Sequence, residues 1–337
     1  MKRKWLHSLR GMFRNQAIVL MYHRVAEPVN DPWQIMVSPE HFSQQLDVLK
    51  RKASVIPLDR LVSDYRRNAL KRKSVVLTFD DGYLDNFTTV RPLLEKFDLP
   101  ATFFITTGKI GTREEFWWDE LARLMLQSDE LPAQFSLPVG TETIGVETGA
   151  EARLTPELKR QNETWTTQED PPNRRCALFL AIWEKMRATA TEAQRSTLGS
   201  LRELARFNGP AVSEGPCMSE EQLASLGRHE LVRIGAHTVT HPALGEWPEA
   251  FQREEILNCR TRLEEITGQT VNHLAYPFGV YNETSTKVAG ALGFEAAVTT
   301  REKVVDGKSS PLELGRFEVV NWGGEEFEEY LHYWINK

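Results

Sequence analysis

Two carboxylates stand side by side at the end of an apolar run, Ser74-Val75-Val76-Leu77-Thr78-Phe79-Asp80-Asp81-Gly82-Tyr83. A run this short and this rich in β-branched residues reads as a strand buried on both faces. Gly82 breaks it, so the Asp pair sits where the strand opens into a loop. Successive strand residues point to opposite faces, so the two carboxylates cannot serve one atom in the same way. One can bind a cation while the other takes a proton. The plain alternative is an Asp-Gly turn. A second stretch, Ile234-Gly235-Ala236-His237-Thr238-Val239-Thr240-His241-Pro242, places two imidazoles four residues apart after another short strand. With one carboxylate they supply the two-nitrogen, one-oxygen ligand set of a catalytic zinc site. The preceding strand, Pro242 and the lack of a Glu after His237 argue against a helical zincin pair.

The elements that must position these groups follow from the pattern along the chain. Ala17 to Val25 reads as the first strand, and Ser38-Pro39 as the cap and first turn of a helix through Lys52. A short strand Val55 to Pro57, a basic-faced helix Leu58 to Asn68, the Asp80/Asp81 strand, a helix ending near Phe97 and the strand Ala101 to Thr106 come next. That alternation predicts a parallel sheet or barrel. From about residue 111 to 215 the rhythm changes. A helix Glu114 to Gln127, a small hairpin over Leu131 to Val146, an irregular polar stretch over 155–170 and two helices (Asn173 to Arg187 and Thr191 to Phe207), closed by Gly209-Pro210, read as one mainly helical insertion. Ser219 with Gln222 makes a capping box for the helix ahead of His237. The helix Pro248 to Thr267 stops at Gly268, and Val271 to Tyr276 leads into Pro277-Phe278-Gly279. A helix capped by Asn282, strands over Phe294 to Thr299 and Leu314 to Val320, and a closing helix Glu325 to Asn336 complete the chain.

Composition narrows the classes. The 337 residues carry a formal net charge of −6, which disfavours a nucleic-acid surface. Cys176, Cys217 and Cys259 are odd in number and widely spaced, so neither a disulfide framework nor a zinc knuckle is indicated, and a reducing compartment is expected. No apolar run is long enough to span a membrane. Residues 1–16 form a basic leader with Trp5, Leu6, Leu9, Met12 and Phe13 at helical spacing beside Lys2, Arg3, Lys4, Arg10 and Arg14. Such a helix can pack on its own domain or make peripheral contact with an anionic membrane. The apolar run Ala17 to Tyr22 is too short for a signal-peptide core. The expected location is therefore cytoplasmic, at the inner face of the membrane if the leader binds there.

Together the motifs resemble the polysaccharide deacetylase family, carbohydrate esterase family 4, with its NodB-homology domain. Thr78 to Gly82 matches its Thr-Phe-Asp-Asp-Gly motif, and His237 to His241 its His-Ser/Thr-x-x-His. Ala275-Tyr276-Pro277-Phe278-Gly279 matches its Arg-x-Pro-Phe/Tyr-Gly except that Ala275 replaces the arginine. The resemblance implies an α/β fold, a distorted (β/α)7 TIM-like barrel over residues 17–337 interrupted by the helical insertion. It implies a divalent metal on Asp81, His237 and His241, with zinc the default and cobalt, nickel, iron or manganese suited to the same ligands. Asp80 becomes the general base, and the backbone N–H of Phe278 an oxyanion donor beside the metal.

Two histidines compete to protonate the leaving amine: His23, in Met21-Tyr22-His23, and His332, in the closing helix. A strand end points into the site, which favours His23. Arg316 is the substitute for the missing motif arginine, with a surface salt bridge as its alternative. Tyr83, Tyr276, Pro277 and the Trp117/Trp118 pair are candidates to touch substrate. The implied activity is removal of an N-acetyl group from an N-acetylhexosamine of a glycan, a polysaccharide precursor or a lipid-linked sugar. Deformylation or hydrolysis of a non-sugar amide is the alternative within the family, and an inactive carbohydrate-binding relative the alternative outside catalysis.

Overall fold

A computed structural model describes residues 15–206 and 216–337; the basic leader up to residue 14 and Gly209-Pro210 lie outside the described residues. The strands in chain order are β1 (Ala17–Tyr22), β2 (Arg24–Val25), β3 (Met36–Val37), β4 (Ser54–Val55), β5 (Ser74–Phe79), β6 (Ala101–Ile105), β7 (Gln134–Val139), β8 (Glu142–Glu147), β9 (Val232–Ala236), β10 (His273–Ala275), β11 (Ala296–Val298) and β12 (Phe317–Glu318). The described residues group into two compact units, one of residues 15–27, 35–111 and 217–337, the other of residues 28–34, 112–206 and 216.

The first unit is a distorted (β/α)7 barrel. Its strands run β11-β10-β9-β6-β5-β1-β12, all parallel, with β4 added beside β5. A single parallel bridge from Val298 to Leu314 draws the two ends of that path together. Every residue of β1, β5 and β6 is buried, as expected of strands covered on both faces. Val19, Val76, Phe104, Ala275 and Val298 pack in one cluster with helix residues Leu58, Leu61 and Val62. Because the strands are parallel, their carboxyl ends meet at one rim, where catalytic groups of such barrels collect. Register makes this specific. Tyr22 lies opposite Phe79, so His23 and Asp80 leave adjacent strands together. Ile105 lies opposite Ala236, so His237 emerges beside Thr106.

Local signals explain the helices. Ser38 Oγ accepts from the His41 N–H at 3.2 Å to start Pro39–Lys52, and Ser219 and Gln222 cap Glu220–Gly227 reciprocally. Gly268, at φ 68°, ends Glu249–Thr267. The last two barrel strands are shorter than the sequence pattern implied, Ala296–Val298 and Phe317–Glu318.

The second unit holds the β7–β8 hairpin, turned at Gly140 (φ 62°), and the helices Trp117–Leu126, Pro156–Thr164, Arg174–Arg187 and Thr191–Leu204. The stretch read as irregular contains the helix Pro156–Thr164. Thr155 caps it with Pro at the first turn, the same signal that marks Ser38-Pro39. Trp117 and Trp118 do not present a face to a sugar. Trp118 stacks on Phe116 at 4.5 Å between ring centres, and Trp117 packs against Trp118 and Trp183. Both belong to the core of this unit.

Candidate active site

Asp81, His237 and His241 converge in the barrel unit, and all three are buried. Asp81 Oδ1 lies 3.5 Å from His237 Nε2 and 3.3 Å from His241 Nε2, and the two Nε2 atoms are 3.2 Å apart. A tetrahedral zinc ion with ligand bonds of about 2.05 Å has edges of about 3.3 Å between ligand atoms. The three separations therefore fit one divalent ion. His237 Nδ1 donates to the Ala275 carbonyl at 2.9 Å, which turns the Nε2 lone pair inward. Asp81 Oδ1 is buried and accepts no conventional hydrogen bond. Three electron-rich atoms gathered this closely could hold a cation, and the residues fit the metal that the motifs imply.

Asp80 sits beside this group, 2% exposed, and Arg316 holds it at two points. Nη1 donates to Oδ1 at 2.8 Å and Nη2 to Oδ2 at 2.6 Å. The guanidinium is itself fixed by the Thr299 carbonyl at 3.0 Å and Thr78 Oγ1 at 3.1 Å. Its side chain is fully buried, so this is no surface salt bridge. Burial alone would raise the Asp80 carboxyl, but the Arg316 charge, with His237 and His23, outweighs it and holds the pKa below the ordinary carboxylate value. Burial likewise opposes ionisation of Asp81, and the two imidazoles overcome it, so its pKa is also depressed.

His23 follows β1 on the same rim. Its carbonyl accepts from Asn86 Nδ2 at 2.8 Å, and the next residues are tied down by Asp85, which receives Arg24 Nε at 3.0 Å and the Val25 N–H at 3.1 Å. His332 lies on the exposed face of the closing helix Gly324–Ile335, where its carbonyl accepts from Nδ2 of the capping Asn336 at 2.7 Å. Of the two competing histidines, His23 shares the rim with Asp80 and Asp81, and its charge is among those that lower both carboxyls.

The backbone here is held in costly conformations. Nine non-glycine residues have positive φ among the described residues, and four of them belong to this site: Asp81 (76°), Thr238 (65°), His241 (59°) and Phe278 (55°). For a β-branched residue such as Thr238 this is rare, and such strain persists where the surroundings over-determine it. Phe278 reaches its conformation between Pro277 and Gly279, and its ring lies edge-on to His241 at 4.4 Å. Tyr83, Tyr276 and Pro277 are buried. The Tyr276 ring stacks on Tyr281 at 4.6 Å and its hydroxyl donates to the Leu312 carbonyl, while the Arg24 guanidinium covers the Tyr83 ring at 4.5 Å. These contacts make the two tyrosines supports of the site's walls.

One further residue escaped the sequence reading. Glu255, in the helix Glu249–Thr267, accepts the N–H groups of Val239 and Thr240 and the Thr240 hydroxyl. The signal was available: Glu255 falls in the buried stripe Gln252, Ile256, Cys259 and Leu263, where a carboxylate needs a reason.

The family described as Polysaccharide deacetylase matches residues 67–131 and 165–297. The poly-beta-1,6-N-acetyl-D-glucosamine N-deacetylase of Staphylococcus epidermidis is 29% identical over 112 residues, 29% of this chain and 39% of its own length. The chain spans less than half the length of the curated relatives it matches first. Among solved structures, the Streptococcus pyogenes deacetylase PplD in complex with acetate is similar with a TM-score of 0.53 at 19% identity, over 94% of this chain and 98% of that one. IcaB from Ammonifex degensii gives 0.56 at 19% identity, over 96% and 97%. At such identities these structures speak to the fold.

Proposed function

The chain belongs to the polysaccharide deacetylase family, and on that premise we propose that it is a metal-dependent hydrolase that removes the acetyl group from an N-acetylhexosamine of a glycan or lipid-linked sugar. The observation that carries the reading is the meeting of Asp81 Oδ1 with two imidazole Nε2 atoms at 3.2–3.5 Å, next to a carboxylate clamped by Arg316. A divalent ion held there would supply polarisation of the amide carbonyl and acidify the attacking water. Asp80 takes the proton from that water, and its depressed pKa keeps it ionised for the purpose at neutral pH. Arg316 fixes which way the two oxygens of Asp80 face. The Phe278 N–H, set by the strained turn, donates to the oxygen that gains charge as the amide carbon becomes tetrahedral. His23 delivers a proton to the departing nitrogen, so the products are acetate and a free amino sugar.

The similarity to a poly-beta-1,6-N-acetyl-D-glucosamine N-deacetylase supports an amino-sugar substrate. The test is acetate release by the purified protein, with its metal content measured, from β-1,6-linked N-acetylglucosamine oligomers and from lipid-linked N-acetylhexosamines. Acetate release that disappears in Asp81→Asn is expected. No acetate from any member of the panel, or an Asp81→Asn variant as active as wild type, would overturn the reading.

A further inference from the structure

We propose that Glu255 is the positioning residue that sets the separation of the two imidazoles, and through it the affinity and coordination geometry of the metal site. The proposal rests on the metal-site reading above. His237 is held at the end of β9, where its N–H donates to the Ile105 carbonyl at 3.0 Å. His241 has no such strand. It reaches the same point only because the three residues between fold back, with Thr238 and His241 both left-handed. An extended chain over four residues would carry the second imidazole well over 10 Å away, so the fold-back must be fixed by contacts.

Two sets of contacts do so. From β6 and its following turn, the Thr107 N–H donates to the Thr238 carbonyl at 3.2 Å and the Gly108 N–H to the Val239 carbonyl at 2.8 Å. Gly108 comes so near that a Cβ there would lie 2.5 Å from the Val239 oxygen. Those bonds satisfy the carbonyls of Thr238 and Val239. The N–H groups of Val239 and Thr240 are gathered by Glu255. Oε2 accepts from Val239 N at 2.9 Å and Thr240 N at 2.8 Å, and Oε1 accepts from Thr240 Oγ1 at 2.9 Å. Thr238 Oγ1 closes the turn by accepting from the His241 N–H at 3.1 Å. Two successive backbone N–H groups on one anionic oxygen form a nest. A carboxylate fills it better than any neutral side chain, because hydrogen bonds to an ionised acceptor are the stronger kind. The helix carrying Glu255 is anchored in turn, with Cys259 Sγ against the Ile105 carbonyl at 3.4 Å. Glu255 therefore ties the spacing of His237 and His241 to a rigid element, without touching either imidazole.

The experiment compares zinc affinity by chelator competition, and the visible spectrum of the cobalt-substituted protein, in wild type, Glu255→Ala, Glu255→Gln and Asp81→Asn. Glu255→Ala is expected to bind zinc about 10–100-fold more weakly, the range found when supporting partners of metal ligands are removed, and to show an altered cobalt spectrum. Glu255→Gln, which keeps one oxygen for the nest, should lose less. An affinity within about twofold of wild type and an unchanged spectrum in Glu255→Ala would overturn the proposal, even if its melting temperature falls. Should Glu255→Ala fail to fold, Glu255→Gln decides: weakened binding supports the role and wild-type affinity overturns it. If wild type holds no metal, or Asp81→Asn binds as well as wild type, the metal-site reading itself is what fails.

Discussion

Arg316 grips both oxygens of Asp80 across 236 positions of sequence, and neither group is exposed to solvent enough to be hydrated in compensation. The pair is buried on both sides, so its two halves do not separate cheaply. Removing one partner from such a pair leaves a bare charge in the interior.

Replacing Arg316 by Met should therefore destabilise the protein by about 3–5 kcal/mol, as measured by denaturant unfolding. Turnover should fall while zinc content stays at the wild-type level. The pH dependence has a definite sign. Burial raises the Asp80 carboxyl and Arg316 lowers it, so losing the cation moves the acid limb of the rate profile to higher pH. Stability follows the same linkage. A carboxylate depressed in the folded state contributes above its unfolded pKa, and that contribution is lost as pH falls through the lower folded value. Acid unfolding should thus begin at higher pH in Arg316→Met, and an unmoved acid limb would refute the assignment.

His23→Ala should reduce turnover by about 10²–10⁴-fold, the usual contribution of a positioned proton donor, with metal content intact. His332→Ala should leave turnover unchanged, since that imidazole faces solvent. Comparing kcat and bound zinc in the two variants settles the choice, and the reverse pattern would transfer the role to the closing helix.

Gly279→Ala tests the turn that aims the Phe278 N–H. Gly279 has φ 66°, and an added Cβ would meet the side chain of Thr300. The variant should lose about 1 kcal/mol or more of stability and should lower kcat more than it raises KM, because the donor acts on charge that develops during reaction.

Chelation of the wild-type protein should abolish acetate release, and added zinc should restore it. Metal binding should weaken as pH falls, because protons compete for the imidazole nitrogens. A chelated protein that keeps its activity would remove the ion from the reaction.

The candidate groups were legible because they stand at the carboxyl ends of parallel strands, where a short apolar run followed by Asp80-Asp81 or by His237 marks the place. The alternation of strands and helices left a parallel sheet or a barrel open, and the resemblance to the family chose the barrel. Arg316 could be named as a replacement for the arginine absent at Ala275, but not its partner geometry, since nothing local ties residue 316 to residue 80. Tyr83, Trp117 and Trp118 misled for the opposite reason. A large ring beside a motif looks like a ligand surface, and only the packing of Phe116, Trp183 and Arg24 around these rings shows otherwise. Glu255 matched no motif, because its partners are backbone N–H groups, which every sequence possesses; only its place in the buried stripe of its helix marked it.

The site draws on residues as far apart in sequence as His23 and Arg316. On the ribosome, Asp80 leaves the exit tunnel long before its counterion is made. At about 5–20 residues per second the delay is on the order of tens of seconds. Until Arg316 is made, the nascent barrel can bury the β5 carboxylate only by protonating it or by leaving a charge uncompensated, so a charged Asp80 has no place in the interior before then.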